Sequence, residues 1–311
     1  MKPSSFHPAA IAIGALLVAS CGRGSPQKTL DIALVTKALD SEWWQRVKTG
    51  AEDAAKANPG VRLAVLAPER EVNIDQQVSI LEDQITRKVA ALAVAPTGSA
   101  EVIPVLDRAR AAGIPVVIFD TDLNWPSKLS YVGSDNRRAG HIAGEYIARI
   151  LGGKGKVAVI RGILGVTTHE DRLAGFQEAI RSAPGVDCVA VQPANSERAL
   201  AMSVMENLLT RYPDLRAVFA ANDQMALGAV EAIAARNLTG KIAVVGIDAT
   251  WEAVRAVQAG RLAGDVAMYP EMLGRSAVEA ALRAARGQPL ERLIDVDETL
   301  VTKENAANFL R

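Results

Sequence analysis

The sequence predicts an α/β fold of two similar lobes, each a doubly wound parallel sheet with helices on both faces. Three observations predict it. Short apolar runs without polar alternation, such as residues 32–35, 90–95 and 242–247, have the pattern of strands buried on both faces. Between them lie stretches whose apolar residues return at helical spacing, the mark of successive βαβ units. About ten strands can be placed this way, more than one compact sheet of this kind uses, and the cycle restarts near residue 157. Ser134-Asp135-Asn136 with Ala139-Gly140 is echoed by Asn222-Asp223 with Ala226 and Gly228, each a strand end, an acidic cap and a helix carrying small residues for close packing.

Residues 1–20 read as a leader rather than as part of the fold. Lys2 gives a small positive start, residues 9–19 are a short apolar segment, and Val18-Ala19-Ser20-Cys21 follows. The segment is too short for a comfortable membrane span. Small residues directly before a cysteine resemble a bacterial lipobox, which implies that Cys21 becomes the lipidated first residue of the mature chain. An ordinary cleaved signal beside an unrelated cysteine is the alternative. Residues 21–28, rich in Gly, Ser and Pro, then form a tether, and one lipid group holds a domain at a membrane without spanning it. Cys188 has no partner if Cys21 is lipidated, so a disulfide framework is excluded and Cys188 reads as a small apolar residue entering a strand.

The opening unit, residues 30–57, organises the rest. Its apolar run leads through a polar turn at residues 37–42 into a helix with Trp44, Val47, Ala51, Ala54 and Ala55 on one face. Asp40 or Ser41 can cap this helix, and Glu42 suits its dipole. Trp43 and Trp44 thus stand at the carboxyl end of a first parallel strand, where open α/β sheets bind ligands. Adjacent helical residues diverge by about 100°, so one indole is expected to look into a cleft while the other joins the core.

Strands follow at residues 62–67, 90–95 and 115–119, with helices at 73–87 and 99–112 between them. Gly113 stops the second helix. Residues 131–132 make a short extended crossing into a helix at 135–151. The second half runs strand 157–160, helix 171–181, strand 187–191, helix 196–212, strand 217–219, helix 224–236, strand 242–247, helix 251–259 and strand 262–267. A long helix at 271–286 ends at Gly287, and residues 296–301 are extended.

Composition narrows the function. Acidic and basic residues balance at 35 each, so no global field points to nucleic acid or to an anionic membrane. Gly152-Gly153-Lys154-Gly155-Lys156 lacks the Lys-Ser/Thr ending of a phosphate loop and precedes a strand, so it reads as a turn. No G-x-S-x-G elbow is present, and three histidines, one in the leader, leave little material for a metal site or a triad. His169-Glu170 lacks the second histidine of a zinc helix. A DNA-binding helix is missing from the start of the mature chain, and the basic residues are dispersed.

Several segments carry a resemblance. They are Ile32-Ala33-Leu34-Val35, Trp43-Trp44, Gly113-Ile114-Pro115-Val116 with Asp120, Val132-Gly133-Ser134-Asp135-Asn136, Arg172-Leu173-Ala174-Gly175-Phe176, the run from Ala217-Val218-Phe219 through Asn222-Asp223-Gln224 to Gly228-Ala229, and Val245-Gly246-Ile247-Asp248. In this order and at these spacings they resemble the periplasmic sugar-binding proteins of ATP-driven (ABC) importers, ribose-binding type, related to the cores of lactose-type repressors. The resemblance spans residues 30–302. It implies three hinge crossings, near residues 132–135, 267–269 and 297–300. One lobe would then comprise residues 29–133 with 269–297, the other residues 134–268 with 298–311. A sugar held in the cleft would draw the lobes shut. It further implies a monomer without cofactor or catalysis, outside the cytoplasm, whose partners are a sugar and an ABC permease of the inner membrane. A sensor presenting its sugar to a signalling protein would share the fold. A hydrolase using two carboxylates is a third reading, but acids scattered over loops of two lobes suit binding better.

The resemblance also implies site residues. Trp43 and Trp44 take the places of two ring-stacking phenylalanines, and Ser41 beside them is counted with the site. Asp120, Asn222 and Asp248 match residues that hydrogen-bond sugar hydroxyls, the plainer reading of each being a cap at a strand end. Arg172 matches an arginine closer to a structural role. Other positions depart from the family pattern: Glu170 and Thr121 stand where sugar-facing arginines are expected, Ser196 where a third stacking aromatic is, and Met268 where a glutamine is. Lys37 replaces a small polar residue. These departures imply a ligand other than ribose, and they suggest that Lys37 in one lobe and Glu170 in the other face each other across the cleft, as ligand contacts or as a latch.

Overall fold

Strand β1 (Leu30–Val35) lies between its parallel neighbours β2 (Val61–Leu66) and β3 (Ala91–Val94), which is why Ala33, Leu34 and Val35 are fully buried. The chain is seen in a computed structural model that describes Met1 and residues 29–98 and 100–310. The expected leader, Cys21 and the expected tether lie outside the described residues. The first sheet continues through β4 (Val116–Phe119) and β5 (Tyr131–Gly133) to a late strand, β11 (Leu293–Asp295), all parallel, in the order β2-β1-β3-β4-β5-β11. Helices α1 (Glu42–Lys56), α2 (Ile74–Thr86), α3 (Ile103–Ala111) and α9 (Pro270–Ala285) belong to this lobe.

A second parallel sheet has the order β7-β6-β8-β9, from β6 (Lys154–Arg161), β7 (Gly185–Pro193), β8 (Leu215–Ala220) and β9 (Ala243–Val245). Its helices are α4 (Asn136–Ile150), α5 (Thr167–Arg181), α6 (Arg198–Arg211), α7 (Asp223–Ala235) and α8 (Trp251–Gln258). Phe176 and Phe219 stack at 4.7 Å between α5 and β8.

The chain passes between the sheets at residues 134–135, again at 268–269, and a third time at 296–298. The last two passages are tied together by an antiparallel pair, β10 (Asp265–Ala267) with β12 (Thr299–Val301). Tyr269, at the turn into α9, has φ 48°, and its hydroxyl bonds Thr299 Oγ1 at 2.9 Å.

The small residues noted in the sequence mark backbone-to-backbone helix contacts. A Cβ on Gly140 would fall 1.9 Å from the Arg172 carbonyl oxygen, and one on Gly175 would fall 1.8 Å from that of Arg137, so α4 and α5 touch through glycine. Gly50 and Gly274 do the same for α1 and α9, at 1.9 Å from the Glu271 and Val47 carbonyl oxygens. Side chains there would force the helices apart.

Several elements differ from their expected form: β11 falls at residues 293–295 where no strand is expected, and β6 starts at Lys154, inside the stretch read as a turn. Helix α3 begins only at Ile103, and β10 only at Asp265. Helix α5 begins at Thr167, four residues early; Val166 precedes it and offers no capping side chain. On α2, Gln77 is fully buried. Its amide donates to the Thr36 and Ala95 carbonyls and accepts from Thr97 N, fastening the ends of β1 and β3. Apolar periodicity cannot register a buried polar clamp of this kind.

Candidate functional site

Between the two sheets, at the carboxyl ends of their strands, lies a cavity of about 320 Å³. The first lobe supplies one wall from the turn between β1 and α1. Ser41 caps α1 through Trp44 N, and Trp43 and Trp44 stand edge to face with centroids 6.5 Å apart. Both indoles line the cavity, and both are buried. The expected division into one core and one cleft indole is therefore corrected. Trp44 Nε1 donates to Glu71 at 2.7 Å, and burial raises the Glu71 pKa above the usual carboxylate range, against the pull of Lys37. Lys37 is buried with its ammonium 2.6 Å from Asp120 and 5.9 Å from the Trp44 ring centre. An ion pair this deep survives only with good geometry.

The opposite wall comes from α5 and from the loops entering α6, α7 and α8. Arg172 is its hub. The guanidinium reaches Asn136 Oδ1 at 2.8 Å, the Ala221 carbonyl at 2.7 Å and Asp248 at 3.4 Å. Burial pushes the Asp248 pKa well up, with Arg172 opposing. Asn222 caps α7 by accepting from Met225 N, which leaves its amide nitrogen for the cavity. Asp120, Asn195, Ser196 and Asp248, which all line this cavity, have positive φ, a costly conformation for residues other than glycine, as does Ala249 next to Asp248.

The lobes meet around the cavity through polar groups. The Glu42 carboxylate accepts from Trp251 N and Glu252 N at the start of α8, where a helix favours an anion. Arg46 donates to the Ala249 carbonyl at 2.9 Å, Arg70 pairs with Glu197 at 3.5 Å, and Thr121 meets Thr168 at 3.3 Å. The two lobes are thus closed on each other.

The family model of the periplasmic binding protein domain matches residues 32–289. The chain belongs to the periplasmic binding protein family. The ribose import binding protein of Escherichia coli (strain K12) is 36% identical over 275 residues, covering 88% of this chain and 90% of the relative. The D-allose-binding periplasmic protein of the same strain is 32% identical, with 88% and 92% covered. A solute-binding protein of an ABC transporter from Actinobacillus succinogenes, solved with bound D-allose, superposes with a TM-score of 0.85 at 35% identity, over 90% of this chain and 99% of that one.

In this periplasmic binding protein, Lys37, Ser41, Trp43, Trp44, Asp120, Arg172, Ser196, Asn222 and Asp248 all line the cavity. Three candidates do not. Thr121 lies behind the wall, donating to Asp120 at 2.9 Å. Met268 borders only a small side space of about 10 Å³ beneath Trp43 and Arg172. Glu170 is turned away, bonded to Arg161 and to Gly165 N. Lys37 and Glu170 therefore do not pair in this closed form. The partner of Lys37 is Asp120 in its own lobe, and the lobes are joined through Glu42, Arg46 and Arg70 instead. Arg172, read as nearer to structural, is a wall residue. Glu71, Thr168 and His169 also line the cavity and were missed. Had the helix been started at Thr167, the spacing of His169 and Arg172 would have placed them on one face.

Proposed function

We propose that this periplasmic binding protein captures a sugar, or a sugar-like polyol, between its lobes and delivers it to the permease of an ABC importer. The observation that carries the reading is the enclosed cavity itself, in which Asp120, Asn222, Asp248 and Arg172 offer directional hydrogen bonds beside two indoles. Its two deepest cations are matched within the walls, Lys37 to Asp120 and Arg172 to Asp248, so neither is left over for an anionic ligand. Ribose and D-allose, the ligands named for relatives, are molecules of this class. Closure brings residues 29–133 with 269–297 onto residues 134–268 with 298–311. The protein works as a monomer outside the cytoplasm, without cofactor or catalysis.

A thermal-shift series with D-ribose, D-allose, myo-inositol and D-glucosamine tests this. A ligand at a hundred times its Kd stabilises the folded form by about 2.7 kcal/mol, a clear rise in Tm. If none of the four raises Tm and calorimetry records no heat, the reading fails. Trp43→Ala is expected to weaken the best of them about tenfold, from lost stacking. Trp44→Ala is a poorer probe, because Trp44 is buried and bonded to Glu71, and its truncation costs stability as well.

Anchoring is the second part of the proposal. Lipidation of Cys21 holds the protein at a membrane, as the small residues before it and the Gly-, Ser- and Pro-containing sequence after it suggest. Cys21→Ser is expected to move the protein from the membrane fraction to the soluble one; unchanged retention would refute the anchor.

A further inference from the structure

His169 stands in the first turn of α5, buried, with its ring against the cavity. Its Nδ1 accepts a hydrogen bond from Ile163 N at 2.8 Å. A ring nitrogen that accepts carries no proton, so in the neutral imidazole the proton is on Nε2, an assignment made from the bonding network. The ring stays neutral. Burial holds its pKa well below the usual histidine range, and the nearby Lys37 and Arg172 charges push the same way.

Nε2 is poorly served by the protein. Its hydrogen-bond partner among the described residues is Ser196 Oγ at 3.4 Å, long for such a bond. The ring cannot swing to improve this. A Cβ on Gly162 would fall 2.3 Å from Nδ1, so the backbone presses on the imidazole from behind. Asn195 and Ser196, both with positive φ at 51° and 61°, hold the serine against it from the front. A buried donor left with one weak bond is costly unless something else accepts from it. The cavity is where that acceptor can come.

We propose that His169 is a ligand-binding residue whose Nε2–H is a fixed donor in the second-lobe wall, selecting ligands that present a hydroxyl or ring oxygen there over ligands that present only C–H surface. The proposal rests on the sugar-binding reading and deepens it. Where the resemblance implies a stacking aromatic, at Ser196, this chain has no ring; α5 supplies one from the neighbouring position, and that ring carries a polar edge. A site built to donate to an oxygen discriminates strongly against an analogue that lacks it.

Beyond the leader the chain has two histidines, His141 and His169, so imidazole nitrogen resonances are readily assigned. His141 is half-buried on α4 beside Glu145, away from the cavity lining, and serves as an internal control. The probe is whichever of D-ribose, D-allose, myo-inositol and D-glucosamine binds the wild-type protein most tightly. Its addition is expected to shift the His169 Nε2–H resonance and to leave His141 unmoved. In calorimetry, His169→Phe should weaken that ligand at least tenfold, while His169→Gln, which keeps an N–H donor, should lose less than threefold. An Nε2–H resonance unchanged at saturation overturns the proposal, as does a Phe variant that binds as tightly as wild type. Should the Phe variant not fold, the resonance in the wild-type protein decides. If the wild-type protein binds none of the four sugars, the sugar-binding reading fails and this proposal with it; if it binds and His169 does not respond, this proposal alone falls.

Discussion

Arg172→Met should weaken sugar binding by at least a hundredfold and lower Tm at the same time. The methionine fills similar space but removes donors to Asn136, the Ala221 carbonyl and Asp248, all of them buried. Breaking a buried pair by deleting one partner costs roughly 3–5 kcal/mol, because the remaining charge is stranded. Asp248, already pushed well up by burial, then loses the one cation that opposes the push, so its carboxyl is driven further toward the protonated form. Each kcal/mol corresponds to about 2–4 °C of Tm in a domain of 150–250 residues. Scanning calorimetry and titration calorimetry read the two effects separately. Arg172→Lys is a useful companion, since a point charge cannot reproduce the fork to three acceptors. A methionine variant that binds within threefold of wild type would remove Arg172 from the site.

Stability should also fall as pH rises from about 5 to about 8, and Asp265→Asn should largely abolish that part of the fall. Asp223 and Asp265 are fully buried side by side beneath the ligand wall. Asp223 Oδ1 and Asp265 Oδ2 find no donor among the described residues, and both would lie within 3.0 Å of a Cβ on Gly246. A proton held between the two carboxyls satisfies both oxygens. Burial raises Asp265 from 3.8 to about 7, with the neighbouring Asp248 charge adding to it, and pushes Asp223 well up. The other oxygens of the pair accept from Thr250 and Ala249 N, so Asp223 and Asp265 steady the loop that carries Asp248. Since the folded pKa lies above the unfolded one, the contribution is full below about 3.8 and is lost as pH climbs through about 7. It amounts to at most about 4 kcal/mol. Buried His169 acts oppositely, and Asp248 and Glu71 in the same direction, but they are present in both proteins and drop out of the difference. A Tm gap between wild type and Asp265→Asn that stays constant from about pH 5 to about pH 8 would rule out the shared proton.

The parts of this protein that were legible in its sequence are those governed by local periodicity. Unbroken apolar runs at 32–35 and 91–94 announced central strands, and Gly140 announced a close helix contact, because both patterns answer to one element and its immediate neighbour. The charged positions were harder. Lys37 and Glu170 were expected to face each other across the cleft, yet Lys37 found Asp120 across its own sheet and Glu170 found Arg161 at the end of β6. Those pairings depend on where strand ends fall in space. His169 was weighed only as a zinc ligand because α5 starts without a capping side chain; its first turn is held by His169 Nδ1 and by Glu170 reaching back to Ile163 N and Gly165 N, contacts that follow from the fold. Glu71 sits in a loop with no pattern at all, and only the indole of Trp44 gives it meaning.

The polar character of the contacts between the lobes has a kinetic consequence. Glu42, Arg46, Arg70, Glu197 and two threonines carry them, and each group can be solvated as soon as the lobes part. Arg70 with Glu197 is an exposed ion pair of the kind that contributes only about 0–1 kcal/mol, and the hydrogen bonds of Glu42 and Arg46 to backbone groups exchange for bonds to water on parting. Parting therefore meets little resistance from the protein itself, and the dwell time of a bound molecule is set by its own bonds to the two walls. Dissolved salt screens the charged pairs and shortens that dwell time further. A partner that grips both lobes needs to supply only a small force to empty the cleft.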